Sequence, residues 1–191
     1  MKKVILFLVL LLTLCVVLGL AGCTTPPLTL TYAYAVGDTG PAGGWIFYDK
    51  GSYSDGWRYL EAAPSDQSTG IQWYNGSYVV ITGATGTAIG TGQDNTTAIV
   101  TIQGAGNYAA QLCNDLTVSG YNDWFLPSKD ELRLMYIYLK VYGVGGFADG
   151  YYWSSSEFNA NLAWFQYFGD GFQVNLFNKS LHLRVRAVRA F

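Results

Sequence analysis

The stretch GYNDWFLPSKDELRLMYIYLK, Gly120 to Lys140, decides how the rest of the chain is read. Ser128 is an N-cap candidate and Glu131 stands three residues on, the spacing of a capping box. Pro127 marks the boundary just before it. Leu132, Leu134, Met135, Ile137, Tyr138 and Leu139 then supply an apolar stripe at helical spacing. A helix therefore starts at Ser128 and lies on a core to which Trp124 and Leu126 contribute large apolar area.

Upstream, TTAIVTIQ and NYAAQLCNDL also place apolar residues three and four apart and predict two shorter helices. VVITGATGTAIGTG, Val79 to Gly92, has the look of a strand entering a nucleotide loop. Gly83, Gly86 and Gly90 do not make G-x-G-x-x-G, however, and no G-K-[ST] follows, so a flexible loop is the expectation. Further back, GGWIFYDKG (Gly43 to Gly51), GWRYLEAAP (Gly56 to Pro64) and IQWYNG carry the Trp and Tyr that suit half-buried strands. Downstream, YYWSSSE, LAWFQYF, GFQVNLFN and LHLRVRAVRAF return to strand chemistry, and Gly169-Asp170-Gly171 supplies a hairpin turn between the second and third. Strands, then helices, then antiparallel strands make the fold class α+β rather than α/β.

The chain has 191 residues, half of them apolar, and only 13% charged, which suits one domain with a sizeable core and excludes disorder. At the N-terminus, Lys2 and Lys3 precede the apolar run VILFLVLLLTLCVVLGLAG, an export signal. The run ends in Leu20-Ala21-Gly22-Cys23, which resembles the lipobox of bacterial lipoproteins. That resemblance implies a signal peptide over 1–22, lipid attachment at Cys23, and a Pro/Thr-rich spacer over 23–36 ahead of a domain spanning 37–191. Thr24 after the Cys implies the outer membrane, where there is one. The alternative is an uncleaved transmembrane anchor, since the run is nearly long enough to span. With Cys15 and Cys23 accounted for, Cys113 is alone in the domain and cannot form an internal disulfide. Without Lys2 and Lys3, 9 basic groups face 13 acidic ones, a net of −4, so no basic face for nucleic acid is expected.

Asp123-Trp124-Phe125-Leu126-Pro127-Ser128 with Glu131-Leu132 resembles the D-W-x-L-P-[ST]-x-x-E-L signature of a bacterial domain family. That family is found at the C-terminus of the Legionella collagen-like adhesin and in many lipoproteins. YWSSSE (Tyr152 to Glu157), VRAVR (Val185 to Arg189) and the segment Val36 to Pro64 match its remaining hallmarks. The resemblance implies a fold similar to C-type lectin domains and formylglycine-generating enzymes. On this reading Asp123, Trp124, Pro127, Glu131, Trp153, Glu157, Arg184, Arg186 and Arg189 are scaffold. The three arginines are expected to pair with Asp123, Asp130, Glu131 or Glu157.

Catalysis is not expected. The formylglycine-generating relatives need two reactive cysteines, and only Cys113 is present. Ser154 to Ser156 lack an elbow motif, and His182 is the single candidate base. The scattered oxygens of DNTT, YND and FGDG do not cluster as a calcium loop would, so neither metal nor cofactor is expected.

Residues 158–183, Ala160 apart, divide into two interleaved sets. Ala163, Trp164, Gln166, Phe168, Gly171, Gln173 and Lys179 fit a framework. The others are Phe158, Asn159, Asn161, Leu162, Phe165, Tyr167, Gly169, Asp170, Phe172, Val174, Asn175, Leu176, Phe177, Asn178, Ser180, Leu181, His182 and Leu183. All of these belong to the alphabet reached by randomising the first two bases of an Asn codon. Lys, Gln and Trp lie outside that alphabet and occur here only in the framework. The segment resembles the variable region of diversity-generating retroelement target proteins, which display mutagenised residues on a lectin-like fold. With Trp164 and Phe168 buried, Phe165 and Tyr167 are expected to point outward beside Phe172. The expected ligand-binding residues are Phe158, Asn159, Asn161, Leu162, Phe165, Tyr167, Asp170, Phe172, Val174, Asn175, Phe177, Asn178 and His182.

The sequence thus reads as a lipid-anchored envelope protein that binds a protein or glycan through a C-terminal β face. The alternatives are a structural or adhesive envelope module without diversified specificity and, disfavoured by the cysteine count, an enzyme of the formylglycine-generating type.

Overall fold

A computed structural model describes residues 33–81 and 83–191, and the signal, Cys23 and residues 24–32 of the spacer lie outside the described residues. The compact unit they form runs from Tyr34 to Phe191. Its start lies within the expected spacer, because the Tyr34 ring packs edge-on against Tyr59 and Phe191.

The architecture is α+β with mostly antiparallel sheets. Strands β1 (Trp45–Ser54) and β2 (Trp57–Ala62) open the chain, followed by β3 (Ser68–Ile71). Helices α1 (Gly92–Gln103), α2 (Ala109–Asn114) and α3 (Lys129–Tyr138) come next, and a short 3-10 turn at Lys140–Tyr142 ends the helical part. The C-terminal part holds β4 (Tyr151–Glu157), β5 (Ala163–Tyr167), β6 (Gln173–Val174), β7 (Leu183–Val185) and β8 (Val188–Ala190). One sheet has the order β1-β2-β8 and the other β3-β7-β4-β5-β6, in which β4 and β7 are the parallel pair.

The last stretch, expected as one strand, is two strands in different sheets. Arg186 breaks it by turning into the interior, where it bonds Asp66 and the carbonyls of Ala63 and Gly145. IQWYNG contributes only Ile71 to β3, since Trp73 leaves the ladder for the core and its indole N–H donates to the Ser154 carbonyl. A buried indole needs such a partner. Trp153 has the same arrangement with the Ile71 carbonyl, and Trp124 with that of Tyr121.

α3 begins as its residues require. The Ser128 hydroxyl accepts from the Glu131 N–H, and the Glu131 carboxylate accepts from the Ser128 N–H at 2.7 Å. The apolar side of α3, with Leu132 and Met135, packs with Phe47, Leu60, Phe125, Phe168 and Val188. A second core gathers Trp73, Trp124, Trp153, Tyr108, Ile99 and Cys113. The glycine-rich segment between them is pinned rather than flexible. Asn95 bonds both the N–H and the carbonyl of Gly86, and Ser128 and Ser156 donate to Ala88 and Gly86. Gly90 N–H donates to Glu131, and a Cβ at Gly92 would collide with that same carboxylate and with Phe125. Gly86 and Gly92 thus serve close packing.

Candidate ligand-binding face

The face is built on the β5–β6 hairpin and the loops on either side of it. β5 pairs with β4 on one edge and β6 on the other, with Phe165 opposite Val174 and Gln166 opposite Gln173. The turn closes with Gly171 N–H donating to Tyr167 and Tyr167 N–H to Phe172. Gly171 has φ +83°, and a Cβ there would strike the Tyr136 ring. Gln166 donates to the Gly171 carbonyl, and Gln173 bridges Gln166 to the Lys129 carbonyl at the start of α3. Two framework glutamines thus hold the hairpin against the helix.

Lys179 anchors the following loop. Its side chain is fully buried, 2.5 Å from Glu157 and 4.5 Å above the Trp73 ring. Burial lowers its pKa, and the hydrogen bond and charge of Glu157 oppose that. Glu157 also accepts from the Ile81 N–H with both oxygens. Removing either charge would strand the other in a dry site.

Among the expected contact residues, Phe172 is 64% exposed and Phe158 52%, while Asn159, Asn161, Asp170, Asn178 and His182 are also exposed. Leu162, Tyr167, Val174, Asn175 and Phe177 are half-buried. Phe165 corrects the expectation, for it is 1% exposed. Phe177 folds back and stacks on it at 4.4 Å and 7°, while Trp153 and Tyr151 meet its edges. That fold-back also ends β6 after Val174, far short of the GFQVNLFN strand expected. Both faces of β5 are therefore largely covered, with Gln166 buried on the other side.

Two residues of the face escaped the sequence. Tyr151, 41% exposed, faces Phe165, Tyr167 and Phe177. The period-two alternation of Tyr151 with Trp153 was a usable signal once β4 was paired with β5. Tyr78 hydrogen-bonds Asn178 across a hundred residues, and nothing local announces that contact.

Of the scaffold arginines, Arg189 takes an expected partner, Asp123, while Arg184 and Arg186 do not take one. Arg189 binds Asp123 with both nitrogens at 2.8 Å and reaches Glu61 at 3.2 Å. Burial opposes its charge, but those two carboxylates outweigh it and raise its pKa. Arg184 and Arg186 converge instead on Asp66, and Glu157 belongs to Lys179. Glu131 makes no ion pair among the described residues; burial pushes its pKa up to about 7 against the backbone bonds it accepts. Ser154, Ser155 and Ser156 are buried and hydrogen-bonded to Trp164, Asn95 and Gly86, away from His182 on the surface. Burial pushes the Cys113 thiol up and holds it protonated. Among the described residues, no three His, Cys, Asp or Glu side chains gather in a metal-holding group.

The family model of the Lcl C-terminal domain matches residues 63–189, which include α1–α3, both arginine partners of Asp66, and the whole hairpin face. The chain belongs to the Lcl C-terminal domain family. Strands β1 and β2 precede the residues that this family model covers. No curated protein matches the chain. In structure it is similar to a fimbrial protein from Bacteroides ovatus ATCC 8483, at 16% identity and a TM-score of 0.49. That likeness covers 70% of this chain and 36% of the fimbrial protein. Among the described residues of this Lcl-family chain, no helix is long and apolar enough to cross a membrane.

Proposed function

We propose that this Lcl-family domain is a ligand-binding module of the bacterial cell surface, built on a C-type-lectin-like variant of the α+β fold. It is held to the membrane through lipid on Cys23 and engages a protein or glycan with the β5–β6 face. Residues 158–183 are diversified at the display positions by a retroelement. The module performs no catalysis and takes no metal, cofactor or nucleic acid.

One observation carries this reading. The division of residues 158–183 into framework and display sets runs alongside a division by burial, and the four residues outside the codon alphabet, Trp164, Gln166, Gln173 and Lys179, are all buried or half-buried. None of the seven framework residues is exposed, and only Phe165 and Leu183 among the eighteen display residues are buried. Gln and Lys are ordinarily surface residues, yet Gln166 and Lys179 are fully buried. The aromatics Phe158 and Phe172, set among Asn, Ser, Gly and Asp, have the composition of a paratope: rigid anchors with adaptable polar contacts.

The test lies in the surrounding DNA. The expected result is a near-copy of the codons for 158–183 beside a reverse transcriptase, differing from the gene at adenines of the display codons alone. Differences at Gln166, Phe168 or Lys179 codons, or no copy at all, would remove the diversification and leave a fixed adhesive module. Lipid anchoring is tested separately: labelled palmitate should enter the wild-type chain and not the Cys23→Ser variant.

A further inference from the structure

The described residues contain nine Lys and Arg side chains, and eight of them sit within 4 Å of a carboxylate. The exception is Arg133, exposed in the second turn of α3. An unpaired guanidinium is unexpected where thirteen acidic groups outnumber nine basic ones. Arg133 borders a groove of about 430 Å³ between α3 and the hairpin tip. Tyr136 and Ile137 form its helical wall and Phe172, Asp170 and Gln173 its hairpin wall. Asp170 does not neutralise the arginine: its carboxylate accepts the Phe172 N–H and makes no ion pair. The Tyr136 hydroxyl has no hydrogen-bond partner among the described residues.

Resting on the binding-face reading, we infer that this groove takes a partner protein through an Asp or Glu side chain flanked by an apolar one. Arg133 would hold the carboxylate bidentately, the geometry its planar fork suits. Ile137 at i+4 and Phe172 would clasp the apolar neighbour. Arginine beside exposed aromatics is the composition of interface hot spots. A neutral sugar fits less well, because the Gln173 amide N–H groups that would meet its hydroxyls are already spent on Gln166 and Lys129. The arrangement divides labour: α3 lies outside the diversified stretch and supplies a constant anion anchor, while Phe172 belongs to the variable set and adjusts the fit.

The experiment pans a random peptide library on phage against the full chain in detergent, in parallel with Arg133→Glu, Phe172→Ala and Leu176→Ala variants. Among the described residues Arg133 makes no ion pair or hydrogen bond, so the Glu variant keeps the wild-type melting temperature. The expected result is enrichment of peptides with Asp or Glu next to an aromatic or aliphatic residue. Their binding should weaken about tenfold or more in Arg133→Glu and also weaken in Phe172→Ala, with Leu176→Ala unchanged. Peptides that depend on Leu176 but not on Arg133 would overturn the inference and leave the binding face standing. Enrichment of no peptide over background would overturn it, as would capture only of acidic oligosaccharides in a parallel screen. Only an absence of any ligand in both screens would also count against the face itself.

Discussion

Residues 123–132 and residues 163–179 solve the same problem in opposite ways. In the first, each side chain is consumed by structure. Trp124 and Leu126 fill the core, Ser128 and Glu131 cap α3, and Asp123 grips Arg189. In the second, a sparse skeleton of Gln166, Phe168, Gly171, Gln173 and Lys179 fixes the backbone. Most of the residues between them are exposed or half-buried, Phe165 excepted. Irregular periodicity can thus arise from two regular patterns laid over one another. A buried polar residue such as Gln166 then signals a framework more clearly than a buried leucine does.

The largest effect that sharpens this contrast is expected at Lys179. Lys179→Ala leaves Glu157 buried and unpaired, and should lower unfolding stability by about 3–5 kcal/mol in urea titration. The double variant with Glu157→Leu should recover much of that loss, because the pair's own net worth is small. A single-variant loss no greater than that of a surface substitution would break the framework assignment. Next comes a comparison within the display set: Phe165→Ala should cost about 3 kcal/mol or more as a cavity in the core, and Phe172→Ala within about 0.5 kcal/mol of zero. Equal losses at both would erase the distinction between covered and open faces. Gly171→Ala should cost about 1–3 kcal/mol, since its left-handed backbone and the Tyr136 ring both resist a Cβ.

The last effect is a pH slope. Burial raises the folded-state pKa of Glu131 to about 7 from an ordinary 4.5. The folded chain therefore binds the extra proton more tightly than the unfolded one. Its contribution is greatest below pH 4.5, falls as pH rises toward 7, and is flat above that. Unfolding titrations across that window should show the decline in the wild type, with a flatter profile in Glu131→Gln. A wild-type profile that rises relative to that of Glu131→Gln would show the backbone bonds to Glu131 outweighing its burial.

Much of this was legible in the sequence where the determinants are local. The capping box fixed the start of α3. The hairpin turn and the framework residues could be picked out one by one. What failed was non-local. Asp66 was invisible as the partner of Arg184 and Arg186 because 118 and 120 residues separate them. Phe165 was expected outward because alternation assigns faces but not what covers them, and Phe177 covers it from a loop with no strand period. Arg186 ended a promising strand for the same reason: its hydrogen bonds lie across the fold at Ala63 and Gly145. The exposed Tyr78 joined the face through Asn178, again by a contact only tertiary structure makes.

On this account residues 158–183 hold a fixed skeleton and a free surface. A saturation scan of this segment, sorted for protease resistance of the full chain, tests it most directly. Substitutions should be depleted at Ala163, Gln166, Phe168 and Lys179, and at the covered positions Phe165 and Leu183. They should be retained at Phe158, Asn159, Asn161, Phe172, Leu176, Leu181 and His182. Depletion at those exposed positions comparable to that at Gln166 and Lys179 would contradict it, and the segment would then be an ordinary part of the fold.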